Sequence, residues 1–357
     1  ALAGESRTEG YLTEPALMAH GSALGGALHA VGTLDLEGLT LQRGELTPGA
    51  WGEGYVDRRH PHTYVHELIL SARGMGALGR ASLSLGKGFA PYGTDDPMVR
   101  PFVKYPTNHH LAQVPERALA IAAVGRGPLL LEAGLFNGDE PKSPGSFADV
   151  GRFGDSWSAR ATVRPLPGLE LQGSHAFLRS PENPDGHGLD QRKWSASVRW
   201  GGNGETRPYA LLEWATTNET GAGAPGFRFS TLLAEGSLSR GPLLVAGRVE
   251  RSTRPEEERL ADPFRVPRVP ADFSLLGVTR WESAALHARW RGLHASGLRL
   301  QPFAEAMLSH PSDAAPSPLF QAARFYGSSR IWTFSAGVRL EAGTTHMRMG
   351  RYGVADD

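Results

Sequence analysis

The chain has 357 residues, with 37 basic and 37 acidic side chains and a formal net charge of zero, so no electrostatic case exists for nucleic-acid binding. It contains no cysteine, which removes disulfides and thiol chemistry and suits an oxidising envelope compartment. Its longest uncharged apolar run, residues 118–124, falls far short of the roughly 20 residues a membrane helix needs, so only a closed β-barrel could carry the chain across a bilayer.

Taken in chain order, Ala1-Leu2-Ala3-Gly4 reads like the small-residue end of a signal cleavage site, with the leader already removed. Residues 1–22 carry no strong pattern and are expected to form a tail or a plug, with 23–357 a single barrel domain. Residues 27–36 suit a strand, and 39–45 a short strand or part of a loop. From residue 64 onward strict alternation recurs. In 157–164, Trp157, Ala159, Ala161 and Val163 alternate with Ser158, Arg160, Thr162 and Arg164. In 193–200, Trp194, Ala196, Val198 and Trp200 alternate with Lys193, Ser195, Ser197 and Arg199. The pattern returns in 298–308 and 332–341, and more weakly in 77–87, 129–137, 169–179, 210–217, 232–239 and 243–252. Residues 273–290 suit one long strand, and 345–352 a final one.

Each segment is about ten residues long, the length of a tilted membrane strand, whereas strands of soluble sandwiches are about five or six. Short Gly- and Pro-rich turns, such as 74–76, 125–127, 165–168, 201–204 and 240–242, alternate with longer polar connections at 88–116, 137–152, 181–190, 218–227, 255–271 and 310–328. The sequence therefore predicts an all-β, transmembrane, antiparallel up-and-down β-barrel of about 16 strands (14 being the alternative), with short periplasmic turns and long outer loops. Trp157, Trp194, Trp200, Trp214 and Trp332 would populate its aromatic girdles.

If the apolar set faces lipid, the lumen is lined by Arg80, Arg160, Arg164, Lys193, Arg199, Arg248, Arg299 and Arg339, and by Glu132, Glu170, Glu213, Glu235, Glu250, Glu305 and Glu341. Such charges cannot face hydrocarbon, where an Arg at the midplane costs ~2–4 kcal/mol. Two readings stand open: a water-filled channel that filters small solutes, or a lumen cross-linked by Arg–Glu pairs and shut. Asp95 and Asp96 in the first long loop could hold Ca²⁺, or could pair with Arg100 or an inward Arg and fold the loop into the lumen as a constriction. His60, His62 and His66, with His109 and His110, could ligate Zn²⁺ or Cu²⁺, or be interfacial histidines. His66 shares its strand face with Leu68 and Leu70, which predicts that it points to lipid. No nucleophile elbow or catalytic set stands out, so no catalytic residue and no cofactor is assigned.

Leu85-Gly86-Lys87-Gly88-Phe89-Ala90-Pro91-Tyr92-Gly93, then Pro115-Glu116-Arg117-Ala118-Leu119, then Ala133-Gly134-Leu135-Phe136-Asn137-Gly138-Asp139 resemble the phosphate-selective porin family of outer-membrane channels. The resemblance covers residues 85–139 and implies a sixteen-stranded porin, often trimeric, that draws anions along lumenal Arg and Lys. The Lys clusters of that family have no counterpart here, where 33 of the basic residues are Arg and the four Lys are scattered. The sequence reading is thus an outer-membrane, porin-like channel of a Gram-negative bacterium for passive diffusion of small polar or ionic solutes. Its surroundings would be lipid and lipopolysaccharide, with a homotrimer as one assembly. The alternatives are a structural or metal-binding barrel and a barrel that houses a partner protein.

Overall fold

The computed structural model describes residues 15–40, 63–77, 79–141, 143–183, 186–201, 208–221, 224–257, 275–315, 320–343 and 348–356, with a few isolated residues before 15. Among the described residues sixteen strands form one antiparallel sheet, in chain order apart from one three-residue strand that pairs only with the strand after it. The first six are β1 (Ala16–Ala23), β2 (Leu28–Asp35), β3 (Val65–Gly76), β4 (Gly79–Gly88), β5 (Arg117–Arg126) and β6 (Leu129–Phe136). The sheet continues through β7 (Ser156–Leu166), β8 (Leu169–Leu178), β9 (Asp190–Gly201), β10 (Tyr209–Gly221), β11 (Ala224–Arg240) and β12 (Leu243–Glu257). It ends with β13 (Leu275–Trp290), the three-residue β14 (Leu293–Ala295), β15 (Leu298–Asp313) and β16 (Ile331–Ala342). Among the described residues no ladder joins the outer edges of β1 and β16.

Alternation decides which way the sheet curls. Along β9 every second residue is buried, Lys193, Ser195, Ser197 and Arg199 among them, while Trp194, Ala196, Val198 and Trp200 are exposed. The same holds along β6, where Glu132 is buried between exposed Leu131 and Ala133. The polar face is therefore the inside and the apolar face the outside, the reverse of a soluble barrel and the arrangement hydrocarbon demands. Aromatic side chains mark the outer belt: the His175 ring lies 3.8 Å from Trp194 and 5.2 Å from Trp157, and Trp332 stacks on Phe334 at 5.7 Å. Among the described residues no helix is long and apolar enough to cross a membrane.

The sheet wraps around two pieces of chain that fill its interior. One is the long connection between β4 and β5, whose residues are almost all buried. Its side chains and backbone reach Glu213 of β10, Glu250 of β12 and Glu305 of β15. The other is the segment 348–356 after β16, which reaches back to Glu67 of β3, Glu132 of β6 and Gln172 of β8.

Four expectations change. First, β1 begins at Ala16 and pairs with β2, so residues 16–22, expected to belong to a tail or plug, form a strand; its Gly21 and Ser22 and its lone Leu17 and Met18 hide the alternation. Second, the expected final strand at 345–352 is replaced, over its described part, by a turn inside the lumen, because Arg348, Arg351 and Tyr352 find partners there. Third, residues 37–40 form a short helix, α1 (Glu37–Thr40), and the remainder of 39–45 lies outside the described residues. Fourth, the expected loop at 218–227 is largely strand: β10 and β11 stay paired, across an irregularity between Asn218 and Thr220, out to Gly221 and Ala224.

Candidate functional site: the lumenal charge network

The loop between β4 and β5 is too apolar to lie in water. Phe89, Tyr92, Met98, Phe102, Tyr105, Leu111 and Val114 are all buried, and their burial draws the segment into the barrel. Its polar groups then need partners away from bulk solvent. The strands supply carboxylates for this. Glu305 accepts from the backbone N–H of Val103 at 2.8 Å and of Lys104 at 3.1 Å. Glu250 accepts from the Thr107 N–H at 3.0 Å and from its hydroxyl. Glu213 accepts from the Thr94 hydroxyl and from Arg100 at 3.1 Å.

The loop residues expected to form a constriction lie in this network. Asp95 pairs with Arg199 of β9 and, at 2.7 Å, with Arg348 of the C-terminal segment. Asp96 accepts from the Met98 N–H at 2.7 Å, capping the single turn that follows it. Arg100 donates to Thr94 and to the Asp95 carbonyl and stands 3.7 Å from Glu235. Burial works against its charge, but Glu213 and Glu235 outweigh burial and hold its pKa above the ordinary guanidinium value. Burial pushes the Lys104 ammonium down to about 8, against the pull of Glu305.

Of the wall residues expected to line the pore, Arg160 grips Glu132 with two bonds of 2.6 and 2.7 Å, a bidentate pairing with strong geometric preference. Glu170 takes Arg164 at 3.2 Å and Arg348 at 2.8 and 3.0 Å. Arg248 bonds Glu235 at 2.8 Å and the Lys104 carbonyl at 2.6 Å, and lies 4.1 Å above the Phe102 ring. At the short-turn end Glu341 holds Arg339 at 2.6 Å and Arg299 at 3.1 Å. Arg80 falls on the inward register of β4 but stands exposed at the same rim. Lys193 is buried in the wall of β9.

His66 does not point to lipid. Val65 and His66 together oppose Leu34 of β2, a bulge in the ladder, and the extra residue reverses the alternation. His66 is consequently fully buried, with Nδ1 2.5 Å from Glu116. His109 and His110 lie in the inserted loop with rings 4.2 Å apart, while His60 and His62 lie outside the described residues. Among the described residues no group of three metal-ligating side chains stands together.

The sequence reading missed Glu67, Lys104, Glu116, Arg348, Arg351 and Tyr352. Arg351, buried, reaches Gln172 at 2.7 Å, Thr162 at 3.2 Å and Glu132 at 3.4 Å. Tyr352 donates to Glu67 at 2.5 Å and accepts from the Phe89 N–H at 3.0 Å. The available signal was the density of aromatic residues between 89 and 111, too high for a solvated loop; nothing local marked the C-terminal segment.

No family model matches the chain, and no curated protein matches it. Among solved structures, it aligns with OmpTdeltaL8, a loop L8 deletion mutant of the outer membrane protein OmpT of Vibrio cholerae, at 10% identity over 95% of this chain and 93% of that one, with a TM-score of 0.50. Salmonella typhi OmpF, in complex with daunomycin, aligns at 8% identity over 95% and 94%, with a TM-score of 0.49. Pseudomonas aeruginosa OccK3 (OpdO) aligns at 15% over 88% and 80%, with a TM-score of 0.44. The chain has the fold of an outer-membrane β-barrel, apolar outside and charged within.

Proposed function

We propose that the protein is a narrow channel of the outer membrane of a Gram-negative bacterium, passing small polar or ionic solutes by diffusion. The observation that carries this reading is the inward-folded loop. It narrows the lumen while keeping its wall charged, with Asp95, Arg199 and Arg348 together at the constriction. Resemblance to phosphate-selective porins falls on β4, this loop, β5 and β6, which is the constricting part. Arg160, Arg199, Arg348 and Arg351 offer an arginine-lined path for anions, but Glu132, Glu170 and Asp95 stand against them, so the selectivity for anions is weak. Planar-bilayer recording tests the reading: the folded protein gives step-like conductance, larger in a variant whose loop 95–112 is replaced by a short Gly-Ser linker. Absence of steps from both forms refutes it.

A further inference from the structure

The segment 348–356 reaches into the lumen from one rim and turns back toward it. β16 ends at the short-turn rim, where Ala342 opposes Leu298. The tip of the segment lies deeper: the Gly350 N–H and the Tyr352 hydroxyl both donate to Glu67, near the long-loop end of β3. The chain then reverses. The Val354 N–H meets the Ser82 hydroxyl, and Asp356 stands 3.7 Å from Arg73, close to the short turn that joins β3 and β4. Gly350 and Gly353, with φ of +77° and +59°, permit the reversal.

This tip holds the near arm of the constricting loop. The Tyr352 oxygen accepts from the Phe89 N–H at 3.0 Å, and Met349 packs with Phe89, Met98 and Tyr105. Arg348 takes Asp95 at 2.7 Å. Arg160 of β7 ties the two pieces together, donating to the Gly93 carbonyl at 3.3 Å and to the Gly350 carbonyl at 2.8 Å. Displacing either piece forfeits these bonds, so their positions are energetically coupled.

The wall, in contrast, is complete without the segment. If 348–356 withdraws, Glu132 keeps the bidentate grip of Arg160 and Glu170 keeps Arg164. Asp95 keeps Arg199, and Glu67 keeps the Thr33 hydroxyl at 2.8 Å. Breaking a buried ion pair is most costly when it strands a charge. Here no wall carboxylate is stranded, and Arg348 and Arg351 pass from the lumen to water.

We propose that residues 348–356 form a releasable latch that holds arm 89–95 of the constricting loop from the periplasmic side. With the latch in place the loop is docked and the lumen narrow. With the latch withdrawn the near arm loses its inner support, and the lumen widens at both pieces together. This deepens the channel reading, on which it rests for conductance but not for loop docking.

The test separates a latch from inert filling. Tyr352→Phe removes the hydroxyl that bonds Glu67 and Phe89 and leaves the ring in place. Gly353→Val puts a side chain on a left-handed backbone position, its Cβ 2.6 Å from that of Ser82. The folded full chain in detergent is treated with trypsin, for which the loop offers Arg100 and Lys104, and is then recorded in planar bilayers. Cleavage between residues 95 and 112 should quicken several-fold in Tyr352→Phe and at least tenfold in Gly353→Val, with larger single-channel steps in both. Gly343→Val is the control for a positive φ (+84°), because nothing lies within 4 Å of its Cβ position; it should match the wild type. If Gly353→Val does not fold, Tyr352→Phe decides alone. Wild-type cleavage rates in a folded Tyr352→Phe barrel, or larger steps with the loop still protected, overturn the latch. Faster cleavage with no steps from any form upholds the latch and refutes the channel reading.

Discussion

Gly93→Ala is the most direct perturbation of the constriction. Gly93 sits where the two arms of the inserted loop meet, with φ +67°, and a Cβ there would overlap the Ala112 carbonyl, 2.6 Å from its carbon. The left-handed conformation costs a non-glycine residue about 1–2 kcal/mol, and an overlap against backbone, which no rotamer relieves, adds about 1–3 kcal/mol. The total of about 2–5 kcal/mol compares with one or two of the charge-assisted hydrogen bonds that dock the loop, at about 1.5–3 kcal/mol each. The arm at 92–94 must move, taking with it the bond from the Gly93 N–H to Ser174 at 3.0 Å and the contact of its carbonyl with Arg160. The undocked population then rises by well over tenfold, since about 1.4 kcal/mol is a factor of ten at 25 °C. Single-channel recording should show larger and noisier steps, and limited proteolysis should cut between residues 95 and 112, with the β-sheet circular dichroism unchanged. Gly127→Ala is the control, because Gly127 also has positive φ (+56°) but nothing lies within 4 Å of its Cβ position. Wild-type conductance and proteolytic protection in a folded Gly93→Ala barrel would refute the docking argument.

The docked Lys104 has a pKa of about 8, below its ordinary 10.5. Between those values the undocked loop holds a proton that the docked loop lacks, so docking strengthens as pH rises through this window. Conductance should therefore fall from pH 8 to pH 10, and Lys104→Met should be flat over the same range. Ala161, exposed on the outer face of β7 against Leu131, should tolerate no cation: Ala161→Arg should cost ~2–4 kcal/mol near the midplane, read by denaturant titration of folding into vesicles. Replacing Arg348 and Arg351 together by Gln leaves Glu170 with Arg164 as its remaining arginine partner and Glu132 with Arg160, so reversal potentials in a salt gradient should shift toward cations. An unchanged reversal potential would mean that these carboxylates do not face the permeating ions.

The barrel was legible because hydrocarbon imposes a two-residue period that no local accident imitates over ten residues. β9 shows it along its length and β7 and β16 over most of theirs, and those strands match their expected spans within two or three residues at each end. Legibility failed where one residue breaks the period or where small residues erase it. His66 was assigned to lipid from its spacing to Leu68, and the bulge against Leu34 overturned this. β1, with Ala16, Ala19, Gly21, Ser22 and Ala23, has too little contrast between its faces to announce a strand. Segment 348–356 is positioned by contacts with residues about 180 to 285 places earlier, which no local pattern encodes.

Charge counting along the strands found the inward ions but overstated how many are left for a solute. Glu250 and Glu305 satisfy backbone N–H groups of the inserted loop, and Glu116 does the same for Thr63. Glu132 and Glu235 are committed to Arg160 and Arg248. Each of these carboxylates substitutes for the water that the loop and wall give up, so the near balance of signs in the sequence measures self-neutralisation more than selectivity.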